Sequence, residues 1–225
     1  FGLAYKHNNR RYVSEGVQTN LHWDWGEHTL ALGVRYHEDE VDRFQPTERY
    51  DQINGELVAS GVIEPNASNN RVQTAEALSF WATDAWQIND ALRLDLAWRH
   101  ERVRREETRF DDVGRQNIAS TRDNDLSIWL PGLAARYEIN DAWSLLAGIH
   151  RGFSPLGGSA KAWEKPETSI NYEFGARYDG PVFLEVIGFY SDFSNKGESC
   201  SNAYPCSNGA TSGAFITGEA VVAGV

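Results

Sequence analysis

WSLLAGIHRGFSPLGGSAKAWEKPETSINYEFGARYDGPVFLEVIGFYSDFSN, residues 143–195, holds the pattern that decides the fold. From 170 to 178 the even positions are Ile170, Tyr172, Phe174, Ala176 and Tyr178, and the odd ones are Asn171, Glu173, Gly175 and Arg177. A period of two describes a strand with one apolar and one polar face. Asp179-Gly180-Pro181 sets a tight turn, after which an apolar run resumes at Val182. Upstream, Trp143, Leu145, Ala147 and Ile149 alternate with Ser144, Gly148 and His150. The polar segment 152–168 joins these first two strands, so a long connection is followed by a short one. The run 182–193 is apolar on both faces, and alternation alone does not orient it.

Three more hairpins repeat the scheme towards the N-terminus. Val17, Thr19, Leu21, Trp23 and Trp25 share a face, Gly26-Glu27 turns, and Leu30, Leu32, Val34 and Tyr36 follow. Leu78, Phe80, Ala82 and Trp86 precede an Asn89-Asp90 turn and the return strand of Leu92, Leu94, Leu96 and Trp98. Trp129, Leu133, Ala135, Tyr137 and Ile139 run into Asn140-Asp141 and so to Trp143. Asp84 is an exception on the apolar face, close to a turn where an interface is wet. The expectation is eight complete strands, with a partial strand at each end (residues 1–5 and 219–225). Residues 38–73, 102–125, 152–168 and 194–215 read as long polar loops.

Structureless loops of that length argue against a compact soluble domain. Short turns on one edge and long loops on the other describe an up-and-down meander of the outer-membrane kind. The aromatics agree. Trp23, Trp25, Trp86, Tyr137, Trp143 and Tyr178 gather near the short turns, and Tyr36, Trp98 and Trp129 near the long connections. Two belts flanking an aliphatic band are what bilayer interfaces select. The competing reading is a soluble sandwich whose aromatics form a core, for instance a carbohydrate binder. Strand length and consistent loop asymmetry favour lipid.

The chain has 225 residues, no Met and a formal net charge of −11. That charge argues against nucleic-acid binding through phosphates. No apolar stretch is long enough for a transmembrane helix. A mean hydropathy of −0.51 is still compatible with a barrel, which needs one apolar face per strand. No basic-then-apolar leader opens the chain, which begins and ends inside strand-like runs, and a fragment of a longer protein is expected. Cys200 and Cys206 lie close together in a Ser/Asn/Gly-rich loop, which suggests a disulfide and an oxidising compartment, with two free thiols as the alternative. No zinc-like ligand spacing accompanies them, and no metal site is expected.

Residues 78–101, 130–155 and 166–195 resemble the TonB-dependent receptors of Gram-negative outer membranes. The resemblance lies in the Asp-aromatic-turn hairpins of LSFWATDAWQINDALRLDLAWRHE and LPGLAARYEINDAWSLLAGIHRGFSP. It extends to the Glu-Thr-Ser…Glu-x-Gly strand within PETSINYEFGARYD, and GEAVVAGV at the end looks like the start of the next strand. The resemblance implies a wall segment of a 22-stranded barrel that imports ferric siderophores or ferric dicitrate-like chelates. Import would be energised through TonB, with long loops extracellular and short turns periplasmic. It also implies a plug and C-terminal strands beyond residues 1–225, and no cofactor other than the transported chelate. A passive porin wall is the alternative within the membrane class.

The polar face carries the candidate site. Arg35, His37 and Arg99 lie towards the long connections and are candidates for attracting an anionic chelate, since Arg matches carboxylate geometry. Arg93, Arg136, Glu173 and Arg177 lie towards the short turns and would face a plug. The competing reading pairs the arginines with Asp95, Glu101, Glu138 and Glu173 as solvated lumen ion pairs. His37 with Glu38-Asp39-Glu40 reads as a cation site or, more simply, a solvated acidic loop. Enzyme motifs fail on inspection. Gly152-Phe153-Ser154-Pro155 has the wrong spacing for a nucleophile elbow, and Pro155 lacks the N–H an oxyanion hole needs. Gly157-Gly158-Ser159-Ala160-Lys161 lacks the phosphate-loop order.

Overall fold

The computed structural model of the chain describes residues 2–157, 162, 164–206, 209, 211, 213–216 and 218–225, with 199 and 213–216 described by backbone only. All regular elements among them are strands. They are β1 (Gly2–Lys6), β2 (Arg10–Trp25), β3 (His28–Phe44), β4 (Thr47–Ile53), β5 (Glu56–Ile63), β6 (Asn70–Asn89) and β7 (Leu92–Phe110). There follow β8 (Ile118–Glu138), β9 (Trp143–Ser154), β10 (Glu167–Asp179), β11 (Phe183–Ser194), β12 (Gly197–Cys200), β13 (Gly213–Ile216) and β14 (Glu219–Gly224). Nine of them form an antiparallel meander in the order β14-β11-β10-β9-β8-β7-β6-β3-β2. β2 and β14 are open edges, so the sheet is not closed.

Local chemistry sets the turns. Asn89 Oδ1 accepts the backbone N–H groups of Ala91 and Leu92, each at 3.0 Å. Asn140 repeats this with Ala142 and Trp143, again at 3.0 Å. An Asn side chain thus imitates the backbone of a turn at both Asn-Asp sites. Gly26 takes a φ of 56°, a left-handed conformation that favours glycine.

The cross-strand register gathers the apolar residues on one face. Tyr36 lies opposite Leu78, Leu32 opposite Ala82, Leu96 opposite Leu133, and Tyr172 opposite Ile149. This face is not a core: Trp25 is 66% exposed and Phe174 64%. The buried apolar cluster of Ala77, Val103, Leu126 and Ile128 sits on the opposite face. A continuous greasy face of this extent has no counterpart on a water-soluble monomer and fits lipid. Rings stack at both borders. His28 lies between Trp25 (6.0 Å) and Trp86 (5.2 Å), and Trp143 meets Tyr178 at 4.9 Å. Trp98 stacks on Trp129 at 4.6 Å at the other border. From Trp129 to Tyr137 is nine residues, the length of a tilted strand crossing hydrocarbon. The fold is therefore all-β, a partial wall of a transmembrane barrel, as the periodicity predicts.

The exceptional Asp84 lies on the greasy face opposite Leu30, and its Oδ2 is 2.8 Å from Nδ1 of His28. The aromatic pair around His28 thus flanks this histidine–carboxylate contact at the short-turn border.

The long connections differ from expectation. Residues 38–73 are not a structureless loop. β3 continues to Phe44, β4 and β5 form a hairpin, and β6 begins at Asn70. Residues 102–125 are likewise mostly strand, belonging to β7 and β8 around a turn at 111–117. Residues 10–16, a polar stretch without clear alternation, are the start of β2. β9 reaches Ser154, β10 starts at Glu167, and 194–215 contains β12 and part of β13. Hydropathy loses its period there because strands that leave the bilayer meet water on the outside, while their ladder hydrogen bonds persist.

The first strand also differs. β1 is not a further wall strand. It pairs with β4, which pairs with β5, in a separate three-stranded sheet. The pairing of β2 with β3 ends at Arg10 and Arg43, and that of β1 with β4 resumes at Lys6 and Thr47, so β1 prolongs β2 past a break. The orientation of the last long strand is now fixed. Tyr190, Val186 and Leu184 oppose Tyr172, Ala176 and Tyr178 on the greasy face, which turns Glu185, Ile187 and Phe189 inward. Cys200 and Cys206 are joined as a disulfide, their Cα atoms 5.0 Å apart.

Candidate functional site

The inner, polar face carries every arginine singled out from the sequence. Towards the short turns, Arg93 lies directly opposite Arg136 and Arg177 opposite Ser144. Arg93, Arg136 and Glu173 line one depression of about 410 Å³, with Leu146, Gly148 and Ile187. Arg177 is not among its lining residues. Each cation has an anion at hand. Arg93 pairs with Asp95 at 2.7 Å, Arg136 with Glu138 at 2.6 Å, and Arg177 with Glu185 at 2.5 Å. The partner of Arg177 is thus Glu185 across the hairpin rather than Glu173, because the turn at 180–182 sets them opposite each other.

Towards the long-strand end, the row Arg35, Ser79, Glu101, Ile128 crosses β3, β6, β7 and β8. Ser79 Oγ donates to Glu101, which is 6% exposed and also pairs with Arg99. The Arg99 guanidinium lies 5.7 Å from the centre of the Trp81 ring. His37, Ser79, Arg99, Glu101 and Arg105 line a depression of about 570 Å³, together with Phe153, Pro155 and Leu156. The structure therefore brings His37 and Arg99 to one depression, which Arg35, in the row of Ser79 and Glu101, does not line. Arg35 is exposed, and no ion pair involves it among the described residues. His37 Nε2 is 3.5 Å from Asp39. His37 Nδ1 and Arg105 Nη1 are buried without a hydrogen-bond partner. No cluster of three His, Cys, Asp or Glu side chains suited to a metal occurs among the described residues.

Sequence reasoning missed the residues further along the same face. Glu107 is 1% exposed and is held by Arg109 Nε at 2.7 Å, Gln73 Nε2 at 2.7 Å and Arg71 Nη1 at 3.3 Å. Arg10, Arg43, Arg71 and Arg109 stand opposite one another across β2, β3, β6 and β7. Burial, and then the neighbouring Arg43 charge, lower the pKa of Arg71, against the pull of Glu107. Burial alone lowers that of Arg105. Hydropathy holds no signal for them, because charged residues stand on both faces of the strand there. Odd positions from Glu101 to Glu107 on β7 are buried and even ones exposed, the same parity as in the bilayer-height part of the strand.

The fold is shared with known transporters. The structure superposes on the ferric citrate transporter FecA with a TM-score of 0.67 and 20% identity, covering 86% of this chain and 29% of that one. It superposes on the copper transporter OprC with a TM-score of 0.65 and 15% identity, covering 95% and 34%. For the siderophore receptor PiuA from Acinetobacter baumannii the values are 0.63, 14%, 86% and 33%. The chain thus spans about a third of the length of these structures. A search of the curated proteins returns no significant match. The family model described as TonB dependent receptor-like, beta-barrel matches residues 2–225. With the match spanning nearly the whole chain, and the meander, greasy outer face and polar lumen in accord, the chain belongs to the TonB-dependent receptor β-barrel family.

Proposed function

We propose that this chain is wall from an outer-membrane receptor that imports an anionic ferric chelate, ferric dicitrate or a siderophore, energised through TonB. The long-strand end would be extracellular and the short turns periplasmic. Arg35 carries the reading. Arg93, Arg99, Arg136 and Arg177 each have a carboxylate partner, whereas Arg35 is exposed on the lumen face with none among the described residues. An exposed guanidinium beside a depression is suited to a carboxylate-bearing ligand. His37 and Arg99 would complete the seat from the adjoining depression. Arg93, Arg136, Glu173 and Arg177 would face a plug inside the barrel. The ferric citrate and siderophore receptors among the fold neighbours support the ligand class.

The test is uptake of radiolabelled iron from ferric dicitrate by cells that carry the full-length receptor and no other iron receptor. Uptake should require TonB and should fall at least about tenfold in an Arg35→Gln/Arg99→Gln receptor, the loss of two charge-assisted contacts. Undiminished uptake at normal receptor levels, or uptake independent of TonB, would contradict the proposal.

A further inference from the structure

Asp84 puts a carboxylate on the greasy face near the short turns, opposite Leu30 on β3 and Leu96 on β7. A charge on the lipid side is costly, and a leucine at this position would spare the cost. Stability of the wall therefore does not account for it. Its partner His28 is the middle ring of a stack, with Trp25 at 6.0 Å and Trp86 at 5.2 Å and the planes inclined by only 27° and 17°. The side chains of His28 and Asp84 are 29% and 21% exposed, so the pair opens onto the bilayer border.

The contact fixes what the imidazole presents. Nδ1 lies 2.8 and 3.1 Å from the two carboxylate oxygens. A carboxylate only accepts, so Nδ1 carries the proton, and in the neutral imidazole Nε2 offers a lone pair. Nε2 has no hydrogen-bond partner among the described residues. A donor that approaches it in the plane of the imidazole arrives between two indole faces, which are electron-rich. Lone pair, carboxylate and indole faces all attract a cation.

The surrounding border has the same sign. The four short turns carry Glu27, Asp90, Asp141 and Asp179, and no Lys or Arg. Arg93, just after one of these turns, stands on the lumen face opposite Arg136 and pairs with Asp95. An anionic headgroup would meet like charge along this edge.

We propose that Nε2 of His28, flanked by Trp25 and Trp86 and backed by Asp84, binds the primary ammonium of a phospholipid headgroup, that of phosphatidylethanolamine, in the leaflet at the short turns. The ammonium donates one N–H to Nε2 and gains cation–π attraction, which acts within about 6 Å of a ring. Asp84 is a positioning residue that sets the tautomer and adds its charge from behind the ring. A quaternary ammonium has no N–H to donate and is held less well. The site depends on this face meeting lipid and not on the transport reading.

The test reconstitutes the full-length receptor in vesicles of equal parts phosphatidylethanolamine, phosphatidylcholine and phosphatidylglycerol with identical acyl chains. Native mass spectrometry then counts the lipids retained on release into mild detergent. Phosphatidylethanolamine should exceed phosphatidylcholine about tenfold, the worth of one hydrogen bond to a charged group. It should exceed phosphatidylglycerol at least as much. In Asp84→Leu, which leaves the tautomer unset, the preference should fall severalfold. In His28→Phe/Asp84→Leu, which keeps a ring between the indoles and removes both polar groups, retention should match the vesicle composition. Equal retention of the ethanolamine and choline lipids by the unaltered receptor, a comparison that needs no variant, would overturn the hydrogen bond to Nε2 and with it the site. Preference for phosphatidylglycerol would overturn it too, since the rings would then be donating to phosphate. An undiminished ethanolamine preference in the double variant would place the selectivity elsewhere on the receptor and equally overturn the proposal.

Discussion

Trp81 occupies the space in which a side chain on Gly33 would stand: a Cβ added to Gly33 would lie 2.1 Å from two carbons of the indole. The two residues face each other across β3 and β6, and Arg99 faces Trp81 from β7. The glycine lets the ring settle against the strand, and the ring then carries the guanidinium of Arg99 at 5.7 Å. One missing side chain thus sets the position of a candidate ligand contact two strands away.

Gly33→Val should displace Trp81 and cost about 1–3 kcal/mol, the usual range for overpacking. Urea unfolding of the protein in lipid vesicles measures this. Because Arg99 loses its platform, chelate affinity in the full receptor should fall along with stability. In Gly33→Val/Trp81→Ala the clash is relieved and stability should partly return without the affinity.

His28 is the hydrogen-bond partner of a carboxyl group on the lipid side. His28→Ala leaves Asp84 on the greasy face without its 2.8 Å partner. The expected cost is about 1–3 kcal/mol, that of a polar group left unsatisfied. Asp84→Leu should be neutral or stabilising, because it removes the anion itself. A double-mutant cycle by unfolding in vesicles checks both, and full additivity of the two changes would contradict the pairing.

Glu107 ties the inner arginines together. Glu107→Ala strands Arg71 and Arg109 beside Arg43 and should cost about 3 kcal/mol or more, as when one partner of a buried pair is removed. Glu107→Gln keeps the hydrogen-bond acceptor and should cost less. Unfolding midpoints of the two variants give the comparison.

Asp112 makes one turn acid-sensitive. Its carboxylate accepts the backbone N–H groups of Asn117 at 2.7 Å and Gln116 at 3.0 Å, and these bonds lower its pKa. A folded-state value below the unfolded one stabilises above the ordinary carboxylate range and ceases to do so as pH falls through the folded value. Hydrogen exchange at Gln116 and Asn117, corrected for intrinsic rates, should therefore lose protection as pH drops below that range. In Asp112→Ala protection should be low at all pH values. Glu48, lowered first by the Tyr50 hydroxyl and then by His7, should behave in the same direction in β4.

The bilayer-height part of the fold was legible because lipid demands one apolar face per strand. Residues 170–178 therefore display their parity openly, and Trp86, Tyr137, Trp143 and Tyr178 mark one border. The strand extensions were not legible by hydropathy. On β7, Arg102 and Arg104 face water while Arg105 and Glu107 are buried, and both sets are charged. There the alternation survives in burial, which only the register reveals. Arg35, His37, Arg93, Arg99, Arg136 and Arg177 could be placed on the inner face by parity alone. Their partners could not, since Glu185 reaches Arg177 only through the exact geometry of one turn. The arginine row needed three registers at once, and no single stretch of sequence contains it.

Which face meets lipid is the central claim, and adjacent positions on β10 decide it. Single cysteines at Phe174 and Glu173, labelled with bimane in the full-length receptor, can be reconstituted with brominated phospholipid. The account predicts strong quenching at 174 and little at 173. Quenching at 173 equal to or greater than that at 174 would contradict it.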